Sequence, residues 1–111
     1  MKLSTSSKCL LIVAGLLVSA LTFRAASPAA NGSAIFKENC AMCHGDDGKG
    51  SAAMKTPDFT SSKWQASTTN KTMRDVIKNG KKGTGMMAFG NKLKDDDVSA
   101  VIAYIRSLKK K

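Results

Sequence analysis

Apolar and polar positions divide this chain into three regimes. Residues 9–23 form an uncharged, mostly apolar run of 15 residues, preceded by Lys2 and Lys8 and closed by Arg24. Beyond Gly32, the apolar positions Ile35, Phe36, Cys40 and Cys43 recur at helical spacing and predict a short helix that runs into the cysteine pair. Residues 45 to about 68 are polar, carry Gly45, Gly48, Gly50 and Pro57, and show no sustained period, so they read as a loop. A loop of that length is tolerable in a small domain only if it wraps something. Thr68 or Thr69 can cap a second helix that ends at Asn79, with Met73, Val76 and Ile77 inward and Gly80 as its stop signal. Residues 81–91 form a second glycine-bearing loop. The last helix is the clearest: Val98, Val101, Ile102, Ile105 and Leu108 share one face, while Asp95, Asp96 and Asp97 suit its positive start and Arg106 its negative end. No alternating strand pattern of any length occurs, and the fold class is all-α.

The first regime does not belong to the folded domain. A basic start, a short apolar segment and then the small residues Ala25, Ala26, Ser27, Pro28, Ala29 and Ala30 read as a secretory signal peptide over residues 1–29. Val18-Ser19-Ala20 and Ser27-Pro28-Ala29 both offer cleavage sites. The apolar run is shorter than the roughly 18 residues that suggest a membrane span, so export to a periplasmic or equivalent compartment is the reading, with an uncleaved anchor as its alternative.

Residues 30–111 then make one domain. Without Lys2, Lys8 and Arg24 it carries 15 bases against 8 acids, a net charge of +7. A domain of about 80 residues buries little surface and commonly needs a covalent or metal staple. Only 5% of the residues are aromatic, so an aromatic core does not supply what is missing.

Cys9 lies in the leader, which leaves Cys40 and Cys43. Together with His44 they form Cys40-Ala41-Met42-Cys43-His44, the C-x-x-C-H arrangement of covalent haem attachment. Two thiols three positions apart on a helix share a face. Each can add to one of the two vinyl groups on the same porphyrin edge, and the adjacent imidazole then falls beneath the iron. The haem fills the core and its thioether bonds are the staple. A thiol redox pair would want a strand-then-helix context, which is absent, and a zinc site would want two further ligands, whereas His44 is the sole histidine.

With these residues in view, the chain resembles a class I cytochrome c from Gly32 to Leu108. The resemblance rests on Gly32-Ser33-Ala34-Ile35-Phe36 leading into Cys40, on the attachment motif, on Met86-Met87-Ala88-Phe89-Gly90, and on a terminal helix over residues 93–108 bearing Tyr104. It implies a cytochrome c fold of three to four short helices wrapped around one covalently bound haem c, with Gly32 and Phe36 against the Tyr104 side of the last helix. It also implies Met86, 42 residues after His44, as the second axial ligand of the iron. A thioether there favours reduced iron and raises the potential. The family often has Met-Pro-x-Phe-Gly in this loop, and Met87 in place of the proline leaves a second thioether beside the first. Pro57 is the candidate for a carbonyl that orients the His44 imidazole, or is a turn residue only. Trp64 lines the haem edge or serves as plain core, and Met54 and Met73 read as core filler.

If both axial positions are filled, no substrate reaches the iron, so the reading is a one-electron carrier between redox proteins rather than an enzyme. Lys78, Lys81, Lys82, Lys92 and Lys94 bracket the Met loop and would steer docking onto acidic partners; a generally soluble basic surface is the plainer account. Nucleic-acid binding is disfavoured by export and by the lack of basic–aromatic interleaving. Membrane contact is expected only if the leader is retained. The alternatives are a haem subunit of a membrane-anchored oxidoreductase complex and a haem sensor or peroxidase whose Met ligand is labile.

Overall fold

The structure is a computed structural model that describes residues 30–111; the expected leader, Cys9 included, lies outside the described residues. Five helices and no strand are found among them: α1 Gly32–Asn39, α2 Ala41–His44, α3 Ser62–Ser67, α4 Asn70–Asn79 and α5 Asp95–Ser107. The all-α expectation holds, with two single-turn or near-single-turn pieces added to the three longer helices.

Two local expectations are corrected. The helix expected to run into the cysteine pair stops at its first member, Cys40, whose φ of −121° and ψ of −37° fall outside helical values. Just before the break, the Asn39 side-chain amide donates to the Ile35 carbonyl at 2.9 Å, a local bond that competes with helix continuation. The chain restarts as α2, a single turn. The second correction is α3, inside a stretch expected to be loop. Ser61 caps it by accepting from the Trp64 N–H at 3.3 Å, and its most buried residue is polar, Gln65, so it carries no hydrophobic period.

The remaining elements start and stop as the sequence indicates. Thr69, not Thr68, caps α4 by accepting from the Thr72 N–H at 3.0 Å, and Gly80 ends it at a φ of +74°. At the start of α5 the Asp97 carboxylate accepts from the Lys94 N–H at 3.0 Å, beside Asp95 and Asp96 in the same first turn.

The core forms where α1, α4 and α5 converge. Phe36, Met73, Ile77, Val98, Val101, Ile102 and Ile105 are all buried there, joined by Phe59 and Leu93 from the loops. Leu108 is half-buried at its edge; Val76, expected to face inward, is half-buried without packing against this cluster, and Met54 is exposed rather than core. The α1–α5 crossing is as the resemblance implied. A Cβ at Gly32 would overlap the Ala100 carbonyl, and the Phe36 and Tyr104 rings lie 5.2 Å apart. Lys78 pairs with Asp95 at 2.7 Å and Arg74 donates to Ser99 Oγ at 3.0 Å, fastening α4 to α5.

Arg106 does more than complement a helix end. Its Nη1 donates to the carbonyl and Oε1 of Gln65 at 2.7 and 2.8 Å, its Nε to Asn70 Oδ1 at 2.8 Å, and its Nη2 to the Thr68 carbonyl. Gln65 Nε2 in turn donates to the carbonyls of Phe59 (2.7 Å) and Ile105 (2.8 Å). This network, buried at Gln65 and partly exposed at Arg106, ties α3, the start of α4 and the end of α5 to the long loop.

Candidate metal centre

Cys40 occupies the break between α1 and α2, and Cys43 and His44 lie on α2. Both cysteines are free thiols, Cys40 half-buried and Cys43 exposed. Burial, reinforced by Cys43, pushes the Cys40 thiol up to about 11, while Lys92 acts in the opposite sense. Lys92 follows the Met loop in sequence, so the end of that loop comes near the attachment motif. The His44 imidazole is held below its ordinary pKa by burial, which keeps it neutral and able to donate a lone pair.

The loop after the motif completes the turn that carries these residues. A one-turn helix leaves its last carbonyls without helical partners. Here the Gly50 N–H donates to the His44 carbonyl at 2.8 Å, and Thr56 Oγ1 donates to the Cys43 carbonyl at 3.1 Å. Gly50 has a φ of +74°, and a Cβ there would lie 2.5 Å from the carbonyl oxygens of both Thr56 and Pro57, so no larger residue fits. Pro57 was a candidate to orient His44 through its carbonyl. Instead, His44 Nδ1 is buried with no protein hydrogen-bond partner, and the imidazole stacks on the Phe59 ring, with centroids 4.7 Å apart and planes 20° apart.

The Met loop folds back on the end of α4. Phe89 N–H donates to the Ile77 carbonyl (2.8 Å) and Gly90 N–H to that of Lys78 (3.1 Å). Lys81 N–H donates to the Met86 carbonyl at 3.0 Å, and Met86 N–H to Thr84 Oγ1 at 3.2 Å. Met86 is half-buried and packs against the core that also receives Cys40, whereas its neighbour Met87 is 67% exposed. Trp64 is half-buried with its ring 4.7 Å from Phe59. Of the five lysines near this loop, Lys78 is committed to Asp95, and Lys81, Lys82, Lys92 and Lys94 are exposed.

The donor set consists of two free thiols, a neutral imidazole with an unpartnered nitrogen, and a thioether packed against the same core. It fits haem c. Zinc would want more, and no group of three or more His, Cys, Asp or Glu side chains is gathered among the described residues. Thr56 and Phe59 were not singled out by sequence; an isolated phenylalanine in a polar loop is the one signal that marked the second.

An all-α fold around a C-x-x-C-H turn and a Met-bearing loop defines a c-type cytochrome, the class whose cofactor is covalently bound haem c with its iron. The chain belongs to the family described as cytochrome c oxidase, cbb3-type, subunit III, whose model matches residues 27–105. Among curated relatives it is 35% identical over 91 residues to a cbb3-type cytochrome c oxidase subunit FixP of Bradyrhizobium sp. (strain ORS 278), covering 82% of this chain and 31% of the relative. It is 31% identical over 83 residues to a subunit CcoP of Cereibacter sphaeroides, covering 75% of this chain and 28% of the relative. The chain thus spans about a third of the length of these relatives. Among solved structures, a c-type cytochrome, KustC0563, superimposes with a TM-score of 0.67 at 29% identity, over 72% of this chain and 99% of that one. Cytochrome cL of Hyphomicrobium denitrificans gives 0.59 at 31% identity, over 71% and 46%.

Proposed function

We propose that this chain is a one-electron relay domain, residues 30–111, that serves as a haem subunit of a membrane-anchored, extracytoplasmic oxidoreductase complex. Haem c would be held through thioether bonds at Cys40 and Cys43, with His44 and Met86 as the axial ligands of an iron that takes up and gives back single electrons. The carrying observation is the contrast between neighbours in the Met loop: Met86 is half-buried against the core that Cys40 also meets, while Met87 faces solvent. With an imidazole and a thioether both committed, the iron keeps no open position, and the chain by itself performs no chemistry on a substrate.

The subunit reading draws on the cbb3-type oxidase subunits among the relatives. In it, residues 1–29 stay attached as an anchor. A freestanding exported carrier is the second reading, in which the leader is cleaved as a signal peptide. It is favoured by the near-complete match to the small cytochrome KustC0563, 99% of whose chain is covered. No helix among the described residues is long and apolar enough to cross a membrane. In either case Lys81, Lys82, Lys92 and Lys94 offer positive charge beside the Met loop to an acidic redox partner.

The deciding experiment exposes the reduced holoprotein to carbon monoxide at neutral pH while following the Soret band. No spectral change is expected. Ready binding overturns the relay reading in favour of a sensor or peroxidase with a labile Met ligand. Fractionation of cells producing the full chain separates the two relay readings: haem staining in the membrane fraction, at the mass of the uncleaved chain, is expected, and recovery in the soluble periplasmic fraction at the shorter mass supports the carrier instead.

A further inference from the structure

Cys43 and His44 are consecutive, so the planar peptide between them sets where the second thiol lies relative to the imidazole. Both polar ends of that plane are committed. The His44 N–H donates to the Cys40 carbonyl at 2.9 Å, which ties the plane back to the residue of the first thiol. The Cys43 carbonyl accepts from Thr56 Oγ1 at 3.1 Å, which ties it forward to a loop 13 residues away. The first bond joins backbone to backbone and does not depend on the side chains of the residues that make it. The second hangs on one hydroxyl.

The surroundings of Thr56 direct its single proton to that carbonyl. A hydroxyl has one hydrogen to give and two lone pairs to receive. The Ser51 N–H donates to Thr56 Oγ1 at 2.7 Å and takes one lone pair. Two acceptors then lie near the hydroxyl hydrogen, the Cys43 carbonyl at 3.1 Å and the Ser51 carbonyl at 3.5 Å, and Cys43 is the nearer. The Ser51 carbonyl already receives the Thr56 N–H at 3.1 Å, and this bond closes residues 51–56 into a turn. Gly50 fixes the turn against the same segment. Its N–H holds the His44 carbonyl at 2.8 Å, and a Cβ on it would meet the Thr56 carbonyl oxygen at 2.5 Å. The hydroxyl is thus held in a set place relative to the backbone it grips.

We infer that Thr56 is a positioning residue for the haem iron: by holding the Cys43 carbonyl, its hydroxyl fixes the tilt of the peptide from which the His44 imidazole projects. The inference rests on the reading of Cys43 as a thioether anchor and His44 as an axial ligand. Those two bonds would secure the side chains on either side of the peptide without setting the peptide's own tilt, and Thr56 supplies the missing restraint. Without the hydroxyl, water satisfies the carbonyl nearly as well but ties it to nothing. The peptide then tilts, and the imidazole turns with it.

The test uses the exported holoprotein and three variants. Thr56→Val keeps the branched shape and loses the hydroxyl, Thr56→Ala stands in should the first not accumulate, and Thr56→Ser restores the hydroxyl. The readout is the set of g-values of the oxidised low-spin iron, which follow the plane of the axial imidazole and do not report stability. The weak far-red band of sulfur ligation is the internal control, since it reports the other axial ligand. In Thr56→Val the g-values are expected to shift while the far-red band keeps its wild-type intensity, and Thr56→Ser is expected to return the wild-type g-values. A folded Val or Ala variant with wild-type g-values overturns the inference, as does a Ser variant shifted as far as the Val variant. Loss of the far-red band in Thr56→Val also overturns it, because the hydroxyl then supports the whole site rather than the His44 side. Failure of both the Val and Ala variants to accumulate as haem protein does the same, by making the hydroxyl a requirement for folding. His44→Ala tests the underlying ligand assignment separately. A wild-type low-spin spectrum in that variant removes His44 from the iron and the inference with it; a lost or altered spectrum, alongside an unresponsive Thr56→Val, overturns the role of Thr56 alone.

Discussion

Gly32→Ala tests the helix crossing on which the whole scaffold depends. The perturbation is one methyl group. An ideal Cβ at this position would overlap the Ala100 carbonyl oxygen, lie 2.6 Å from its carbon and 3.1 Å from Tyr104 Cβ. The first two atoms are backbone, so no side-chain rotation relieves the collision, and α1 must lift away from α5. Lifting loosens Phe36, only 1% exposed, and its contact with Tyr104. Because the colliding atoms are backbone, this overpacking falls at the upper end of the usual range, about 3 kcal/mol. Replacing glycine in a helix returns at most about 1 kcal/mol of propensity, so the net destabilisation is about 2 kcal/mol. For a domain of this size each kcal/mol moves the Tm by about 4–8 °C, which gives a fall of about 8–16 °C. Thermal unfolding of the holoprotein, followed by far-UV circular dichroism, measures it. Gly85→Ala is the control, since nothing lies within 4 Å of a Cβ there and its φ is not in the left-handed region. A Gly32→Ala variant within about 0.5 kcal/mol of the parent, a size normal for an inconsequential surface change, would refute the close approach.

Two further outcomes follow from the site. Met86→Ala is expected to abolish the weak far-red band of sulfur-to-iron ligation in the oxidised holoprotein, and Met87→Ala to leave it, because only Met86 packs inward; absorption spectroscopy decides, and the reverse pattern moves the ligand to Met87. In the haem-free chain the Cys40 thiol is raised to about 11 by burial, so between neutrality and that value it stays mostly protonated and gains reactivity as pH rises, while Cys43 is exposed. Iodoacetamide at pH about 8.5 is expected to alkylate Cys43 at least about tenfold faster than Cys40, thiolate being the reactive form, with peptide mass spectrometry as the readout; equal rates would remove the case for a buried Cys40.

The parts of the fold legible in sequence are those that short-range chemistry fixes. The Cys40, Cys43 and His44 spacing, the Thr69 cap with its Gly80 stop, and the apolar face from Val98 to Ile105 each need only a few neighbouring residues to specify them. What escaped notice depends on partners distant in the chain or on a single side chain. The break at Cys40 accompanies an amide bond from Asn39 that no periodicity encodes. Helix α3 turns inward on Gln65, whose burial makes sense only once Phe59, Ile105 and Arg106 surround it. The choice between Pro57 and Phe59 as neighbour of His44 depends on the path of a loop 13 to 15 residues further on, and that path is set by backbone bonds such as Phe59 N–H to the Gly48 carbonyl.

That loop explains how a polar, glycine-bearing segment can belong to the centre of so small a domain. An electron carrier makes and breaks no bonds to substrate; its protein must hold the same ligands in the same places in both oxidation states. A single-turn helix is poorly suited to this alone, because most of its carbonyls lack helical partners. The loop supplies them, with Gly50 serving His44, Thr56 serving Cys43, and Phe59 laid flat against the imidazole. Its far end is then fastened through Gln65 and Arg106 to α5, the helix that already grips α1 just ahead of the cysteines. The turn carrying Cys43 and His44 is therefore braced from both sides, by α1 through the Gly32 crossing and by the loop through the Gln65 and Arg106 network. Such bracing serves a relay equally well as a freestanding carrier or within a membrane complex. The difference between those two roles must be sought in residues 1–29 and in the exposed lysines beside Met86, not in the centre itself.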